Sequence, residues 1–231
     1  MNLVAVILSG GRGCRLGPLT ETTPKSLLRY NSKPMIDWTL EFVDGRVSTV
    51  FVSLGYLAEQ VIEHLSVQWP SVQYWQELVP LGTGGALKLF ANRIAAAVPD
   101  HVFILPADHV REIDLEAWVA RHVSERNDLT ILTDRPSPEN EHLILAPDGR
   151  VTDYLMHGQP VMDSAVSAIG EYIFTWPALS KQLSQAPDGP FDLTREVVIP
   201  LIASPHTRVG TFPARSWRDL GTLGHYNGGR A

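Results

Sequence analysis

Between Leu8 and Lys25 the chain sets basic side chains among closely spaced glycines: Leu8-Ser9-Gly10-Gly11-Arg12-Gly13-Cys14-Arg15-Leu16-Gly17-Pro18-Leu19-Thr20, followed by Pro24-Lys25. Glycine lets backbone N–H groups approach anionic oxygens where any Cβ would collide. Fixed cations then take up the charge that those oxygens shed during phosphoryl transfer. The segment therefore reads as a holder for a polyphosphate. It is not a Walker loop, because no Lys-Ser or Lys-Thr follows glycines at that motif's spacing, and it is not a dinucleotide fingerprint, because Leu16 stands where the third glycine is required. The strand ending Val52-Ser53-Leu54-Gly55 also lacks the acidic residue that would grip a ribose. A loop whose glycines merely turned the chain would leave Arg12, Arg15 and Lys25 unexplained.

The elements that must position this loop alternate along the first half. Leu3 to Leu8 is a continuous aliphatic run suited to a strand buried on both faces. Pro34 opens a helix in which Ile36, Leu40 and Val43 keep helical spacing up to Asp44-Gly45. Thr49 to Leu54 is a second strand and Ala58 to Leu65 a second helix. Val72 to Trp75 is a short strand, Gly85 to Ala97 a helix with Leu87, Phe90 and Ile94 inward, and His101 to Leu105 a further buried strand. Such alternation gives right-handed βαβ units. After a helix over Asp114 to Val123 and a strand over Leu129 to Thr133, the pattern changes. The segments His142 to Ala146 and Val151 to Met156 flank Pro147-Asp148-Gly149-Arg150, a hairpin signal. Ala165 to Phe174 reads as a strand, Phe191 to Ile202 as a helix and Thr207 to Phe212 as a strand. The expected fold is α/β, a Rossmann-like, mainly parallel twisted sheet with helices on both faces and a small inserted β subdomain. Ligands in such sheets sit beyond the carboxyl ends of the strands. Both the glycine loop and Asp108 fall there.

A chain of 231 residues with 44% hydrophobic content can fill the core of one domain. Residues 1–231 are expected to form that single domain, in two halves, 1–110 and 111–231. The net charge of −6 and the lack of a Lys/Arg cluster argue against nucleic acid as a partner. No apolar run approaches the about 20 residues of a membrane helix, and Met1-Asn2-Leu3 lacks a basic leader, so a cytoplasmic protein with no membrane partner is expected. The single cysteine, Cys14, permits no intrachain disulfide. Trp69, Trp75 and Trp118 are open to a homodimer face or to the core.

Gly10, Gly11, Gly13, Arg15, Leu16, Pro18-Leu19-Thr20 and Pro24-Lys25-Ser26-Leu27 resemble the signature of the sugar-1-phosphate nucleotidylyltransferases, roughly G-G-x-G-x-R-L-x-P-L-T and then P-K-x-L. The likeness continues through Gly55-Tyr56, Glu77 to Leu87, Asp108, Gly170 to Phe174 and Trp217 to Thr222. It is nearest to the short heptose-1-phosphate and mannose-1-phosphate guanylyltransferases. The resemblance implies attack of a sugar 1-phosphate on the α-phosphorus of a nucleoside triphosphate, with GTP as the expected nucleotide and pyrophosphate as the leaving group. Under it Arg15 holds the β- and γ-phosphates, and Lys25 bridges the α-phosphate and the incoming phosphate. Leu8, Gly10, Gly11 and Gly13 line the nucleotide, with Arg12 as a helper. Glu77 and Gly82 serve the base and ribose, where small residues at a helix start let planar groups lie against backbone.

The same resemblance makes Asp108 and Asp219 the carboxylates of a Mg²⁺ site. That donor set suits the ion, which favours one or two carboxylates plus substrate phosphates. His101 and His109 nearby suggest zinc, but no further ligand stands at metal spacing, so they read as core or solvated histidines. In many relatives a Glu-Lys pair binds the sugar and its phosphate. Here Met156 and His157 stand at those positions, so an unusual acceptor is expected, with His157 as a titrating cation and Glu171 accepting sugar hydroxyls. Two alternatives stand beside this reading: a non-catalytic sensor of nucleotide or sugar phosphate, and a transferase for a cyclitol or phosphocholine-like acceptor. The final Gly221-Thr222-Leu223-Gly224-His225-Tyr226 lacks a proline of the family pattern, and no C-terminal β-helix domain is expected.

Overall fold

The computed structural model describes residues 1–159 and 165–228. Its centre is β1 (Leu3–Ser9), in which Val4 to Ile7 are wholly buried, as an unbroken aliphatic run demands. Successive side chains alternate between faces. Val4 and Val6 pack into one cluster, Ala5 into a second and Ile7 into a third. The chain continues through the short ribbon β2 (Arg29–Tyr30) and β3 (Lys33–Pro34) to α1 (Met35–Val43), β4 (Thr49–Leu54), α2 (Ala58–Gln68) and β5 (Gln73–Gln76). Then come α3 (Gly82–Leu89), α4 (Ala91–Ala96), β6 (His101–Pro106), β7 (His109–Glu112), α5 (Leu115–Ser124) and β8 (Leu129–Asp134). The second half holds β9 (Glu141–Leu145), β10 (Val151–Leu155), β11 (Ala165–Thr175), α6 (Trp176–Gln185), α7 (Ile199–Ala203), β12 (Val209–Pro213), β13 (Ser216–Asp219) and α8 (Leu223–Gly228).

The main sheet runs β10-β9-β11-β6-β1-β4-β5, with β8 pairing β11 and β12. β1 is parallel to β4 and to β6, and β4 is parallel to β5. β11 enters antiparallel beside β6 and carries the β9–β10 hairpin, so the inserted β structure is continuous with the parallel core. Residues of α3, α4 and α6 cover the face bearing Val4, Val6, Val102 and Ile104. Leu115, Trp118 and Val119 of α5 cover Ala5, Phe103 and Leu105, while α1 and α2 cover Ile7 and Val52. The α/β fold with helices on both faces is thus the one the sequence pattern implies.

Four local expectations change. The helix expected over 85–97 begins at Gly82 and breaks at Phe90 (φ −106°, ψ 12°), whose ring stacks on Trp75 with centroids 4.5 Å apart. The helix expected from Phe191 starts later, with a π-helical turn over Thr194–Val198 leading into α7. A separate antiparallel ribbon of β7 and β13, unforeseen in the sequence, pairs His109 with Asp219. Trp75 and Trp118 are 3% and 0% exposed and belong to the core, while the Trp69 indole donates to Asp37 at 2.9 Å.

Candidate active site

The turn after β1 is pinned before it can hold anything. Leu8 O accepts from Ala107 N and Gly10 O from Tyr56 N, both at 3.1 Å, tying the loop to the segments that follow β6 and β4. Gly13 takes up a left-handed conformation (φ 70°), and its carbonyl accepts from Leu16 N at 2.9 Å and Thr20 Oγ1 at 3.2 Å. A non-glycine residue there would be strained and would press on the Lys25 stem, with its Cβ 3.1 Å from Lys25 Cβ and Cδ. The glycine thus sets the course of the lysine beneath it.

A cleft of about 500 Å³ opens at the carboxyl ends of β1, β4 and β6. Leu8, Gly10, Gly11 and Gly13 line it together with Arg15, Lys25, Glu77, Gly82 and Asp108. Glu77 is held by Ser53 Oγ at 2.6 Å and Leu81 N at 3.1 Å, so both carboxylate oxygens stiffen the entry to α3. Gly82 (φ 69°) lies so near the Phe191 carbonyl that a Cβ would come within 2.6 Å of its oxygen.

Lys25 and Asp108 form an ion pair with side chains 17% and 15% exposed. Burial, the largest single influence, pushes the Asp108 carboxyl up; the Lys25 ammonium, His109 and a backbone hydrogen bond together outweigh it and hold the group below the usual carboxylate range. Asp219 reaches the same place from β13. Its Oδ1 accepts from Gly221 N at 2.6 Å, and ligand atoms of Asp108, His109 and Asp219 lie within 4.8 Å of one another. Gly221 makes the convergence sterically feasible. A Cβ at that position would stand 2.7 Å from Asp219 Oδ1, 2.7 Å from Lys25 Nζ and 3.1 Å from Asp108 Oδ2. Two carboxylates beside a cleft lined by glycine backbone fit a hard divalent cation shared with phosphate oxygens.

Four expected site residues are not part of the cleft lining: Asp219 stands just behind it beside Asp108 and Gly221, and three others lie elsewhere. Arg12 lies outside it with its guanidinium 5.4 Å from the centre of the Tyr56 ring. His157 is exposed on the turn after β10 and does not line the cleft. Glu171 is 0% exposed and holds His109 Nδ1 and Arg111 Nε at 2.8 Å each, so the carboxylate expected to meet sugar hydroxyls is committed to protein partners. Burial raises its affinity for a proton, but Arg111 and His109 prevail and keep it ionised below the ordinary glutamate range. β11 shifts register between Ala168 and Tyr172, with Gly170 at φ 71°, immediately before this carboxylate.

Two participants escaped the sequence reading. Arg111, whose side chain is 1% exposed, ties Glu171 to Thr39 Oγ1 and to the Pro106 carbonyl, each at 3.2 Å. His109, read as core or solvated, is buried but stands in the carboxylate cluster. The alternation Asp108-His109-Val110-Arg111 after a buried strand was the available signal.

This glycine-lined anion cleft with converging lysine and aspartates belongs to a recognised class: the chain is a member of the Nucleotidyl transferase family, which it matches over residues 4–228. Among its relatives is the mannose-1-phosphate guanylyltransferase catalytic subunit beta of Drosophila pseudoobscura pseudoobscura, 28% identical over 94% of this chain and 58% of that protein. The glucose-1-phosphate adenylyltransferase of Nitrosospira multiformis is 28% identical over 97% of this chain and 62% of its own length. The chain therefore spans about 60% of the length of these relatives. The crystal structure of HddC from Yersinia pseudotuberculosis shares the fold, with a TM-score of 0.78 at 23% identity over 99% of this chain and 98% of that one. HddC has also been solved with GMP-PN, at a TM-score of 0.76. Among the described residues no helix is long and apolar enough to cross a membrane.

Proposed function

We propose that this protein joins a nucleoside triphosphate to a sugar 1-phosphate, giving a nucleoside-diphosphate sugar and pyrophosphate. The observation that carries the reading is the meeting of Lys25, Asp108 and Asp219 around Gly221 at the edge of the glycine-lined cleft. A phosphate oxygen of the acceptor attacks the α-phosphorus, the new P–O bond forms and the bond to the β-phosphate bridging oxygen breaks. Such an in-line displacement asks the protein for positioning and charge neutralisation. Gly10, Gly11 and Gly13 accommodate the triphosphate, Arg15 takes the charge growing on the leaving pyrophosphate, and Lys25 spans the two phosphates being joined. Asp108 and Asp219 would hold Mg²⁺, which when bound would supply positive charge to offset that of the phosphates. Glu77 and Gly82 shape the base and ribose side.

The two relatives named above act on sugar 1-phosphates according to their names, and HddC has been crystallised with a guanine nucleotide analogue, so GTP is the first nucleotide to try. The acceptor side departs from the expected pair at Met156 and His157, which keeps cyclitol and choline phosphates among the acceptors to include. A matrix of the four common nucleoside triphosphates against hexose, heptose, cyclitol and choline phosphates, read by mass spectrometry, tests the proposal. It predicts a nucleotide-linked product for one acceptor class in the presence of Mg²⁺. Binding of nucleotide with no new diester in any cell of the matrix would replace the enzyme with a sensor.

A further inference from the structure

His109 occupies an unusual position for a buried histidine. It lies directly opposite Asp219 in the β7–β13 ribbon, and residues opposite one another in an antiparallel pair project from the same face. Asp108, the other carboxylate of the cleft, is its immediate neighbour in sequence. A donor atom from each of the three lies within 4.8 Å of the other two. The register and the cluster thus place an imidazole beside the two acids.

The support behind this imidazole is equally specific. Glu171 is wholly buried and its carboxylate meets His109 Nδ1 at 2.8 Å. Arg111 binds the same carboxylate at 2.8 Å and is itself anchored on Thr39 and Pro106. The Trp217 indole packs edge-on against the His109 ring, with centroids 5.2 Å apart and Nε1 3.1 Å from Nδ1. A desolvated carboxylate takes the Nδ1 proton in preference to sharing that nitrogen with an indole N–H, so Nε2 is left to present a lone pair. A histidine with one nitrogen held by a buried carboxylate is the arrangement that orients imidazole toward metals and raises its basicity as a ligand.

We propose that His109 is a third protein ligand of the metal, held in place by Glu171 and Arg111. The inference rests on the assignment of Asp108 and Asp219 as metal carboxylates and specifies the kind of ion they share. An imidazole nitrogen added to two carboxylates favours Mn²⁺ or Co²⁺ over Mg²⁺, which prefers oxygen. A mere core histidine would not require this network, in which two further ionisable side chains, Glu171 and Arg111, are buried to hold one ring.

The test uses Mn²⁺ with pyrophosphate, an anion that contains no nitrogen, and reads electron spin-echo modulation from the bound metal. The wild-type protein is expected to show a nitrogen coupling that changes when histidine alone is labelled with ¹⁵N, a comparison that needs no mutation. His109→Gln should abolish the coupling and weaken Mn²⁺ binding about 10- to 100-fold in calorimetry, and Glu171→Gln should weaken binding about tenfold. Bound manganese without histidine coupling would overturn the role of His109 while leaving the two aspartates as ligands. No protein-bound manganese at all would overturn both this inference and the metal half of the proposed function.

Discussion

At the scale of single residues, the Lys25–Asp108 pair sets the terms of the chemistry. In the proposed reaction the carboxylate that pairs with an ammonium in the free protein would also hold a metal ion, so the two cations would compete. Lys25→Met should therefore bind Mn²⁺ without nucleotide about tenfold more tightly than wild type, which calorimetry would read as ~1.4 kcal/mol. The same variant should lose turnover on the order of a hundredfold, because a preorganised charge aimed at the transferring phosphate is gone. Equal metal affinity in the two proteins would show that the pair is not a competitor. Gly221 makes a second prediction of this size. The Gly221→Ala methyl falls among Asp219, Lys25 and Asp108, so kcat should drop at least tenfold while the melting temperature moves by only a few degrees. An alanine variant of full activity would mean that the three groups need not meet during turnover.

Among the elements, close backbone approaches fix where the loops end. A Cβ on Gly55 would come within 2.5 Å of the Gly10 carbonyl oxygen, a contact between two backbones that no rotamer change relieves. Gly55→Ala should destabilise by about 2 kcal/mol in urea unfolding and disturb the glycine loop as well. The strands Leu3–Ser9, Thr49–Leu54 and His101–Pro106 were legible in the sequence because strands buried on both faces read as unbroken apolar runs. The glycine loop, Lys25 and Asp108 were legible for a related reason: backbone access and fixed charge leave few residue types that serve. The ribbon of β7 and β13 was not, since its four-residue strands carry mixed polarity and are joined across more than a hundred residues. The partners of Glu171 and the exposure of His157 were not legible either, because a position in a family pattern does not show what a buried carboxylate pairs with or where a turn points.

For the molecule as a whole, acid sensitivity should appear in two windows. His122 is fully buried in the last turn of α5, with Nδ1 2.7 Å from Thr130 Oγ1 of β8 and Nε2 3.1 Å from His101 Nδ1. Burial first, and the neighbouring His101 second, lower its pKa to about 3 from 6.5. The unfolded chain then takes up the proton more readily than the folded one. The stability from neutral His122 is complete above pH 6.5 and is lost as pH falls from there toward 3. The depressed carboxyls of Asp108 and Glu171 act lower, their contribution disappearing as pH drops below the ordinary carboxylate range. Urea midpoints between pH 7 and 5 should fall for wild type and flatten in His122→Gln; identical slopes would remove His122 from the account.

The central claim is that Lys25, Asp108 and Asp219 gather at the bond exchanged between two phosphates. The direct measurement is ³¹P NMR of the protein with a nucleoside triphosphate, an accepted sugar 1-phosphate and Mg²⁺, followed for wild type, Lys25→Met and Asp108→Asn. Growth of a diphosphate-diester signal in step with pyrophosphate, slowed on the order of a hundredfold in both variants, is the predicted result. Undiminished diester formation in either variant, or pyrophosphate released without an acceptor, would contradict the account.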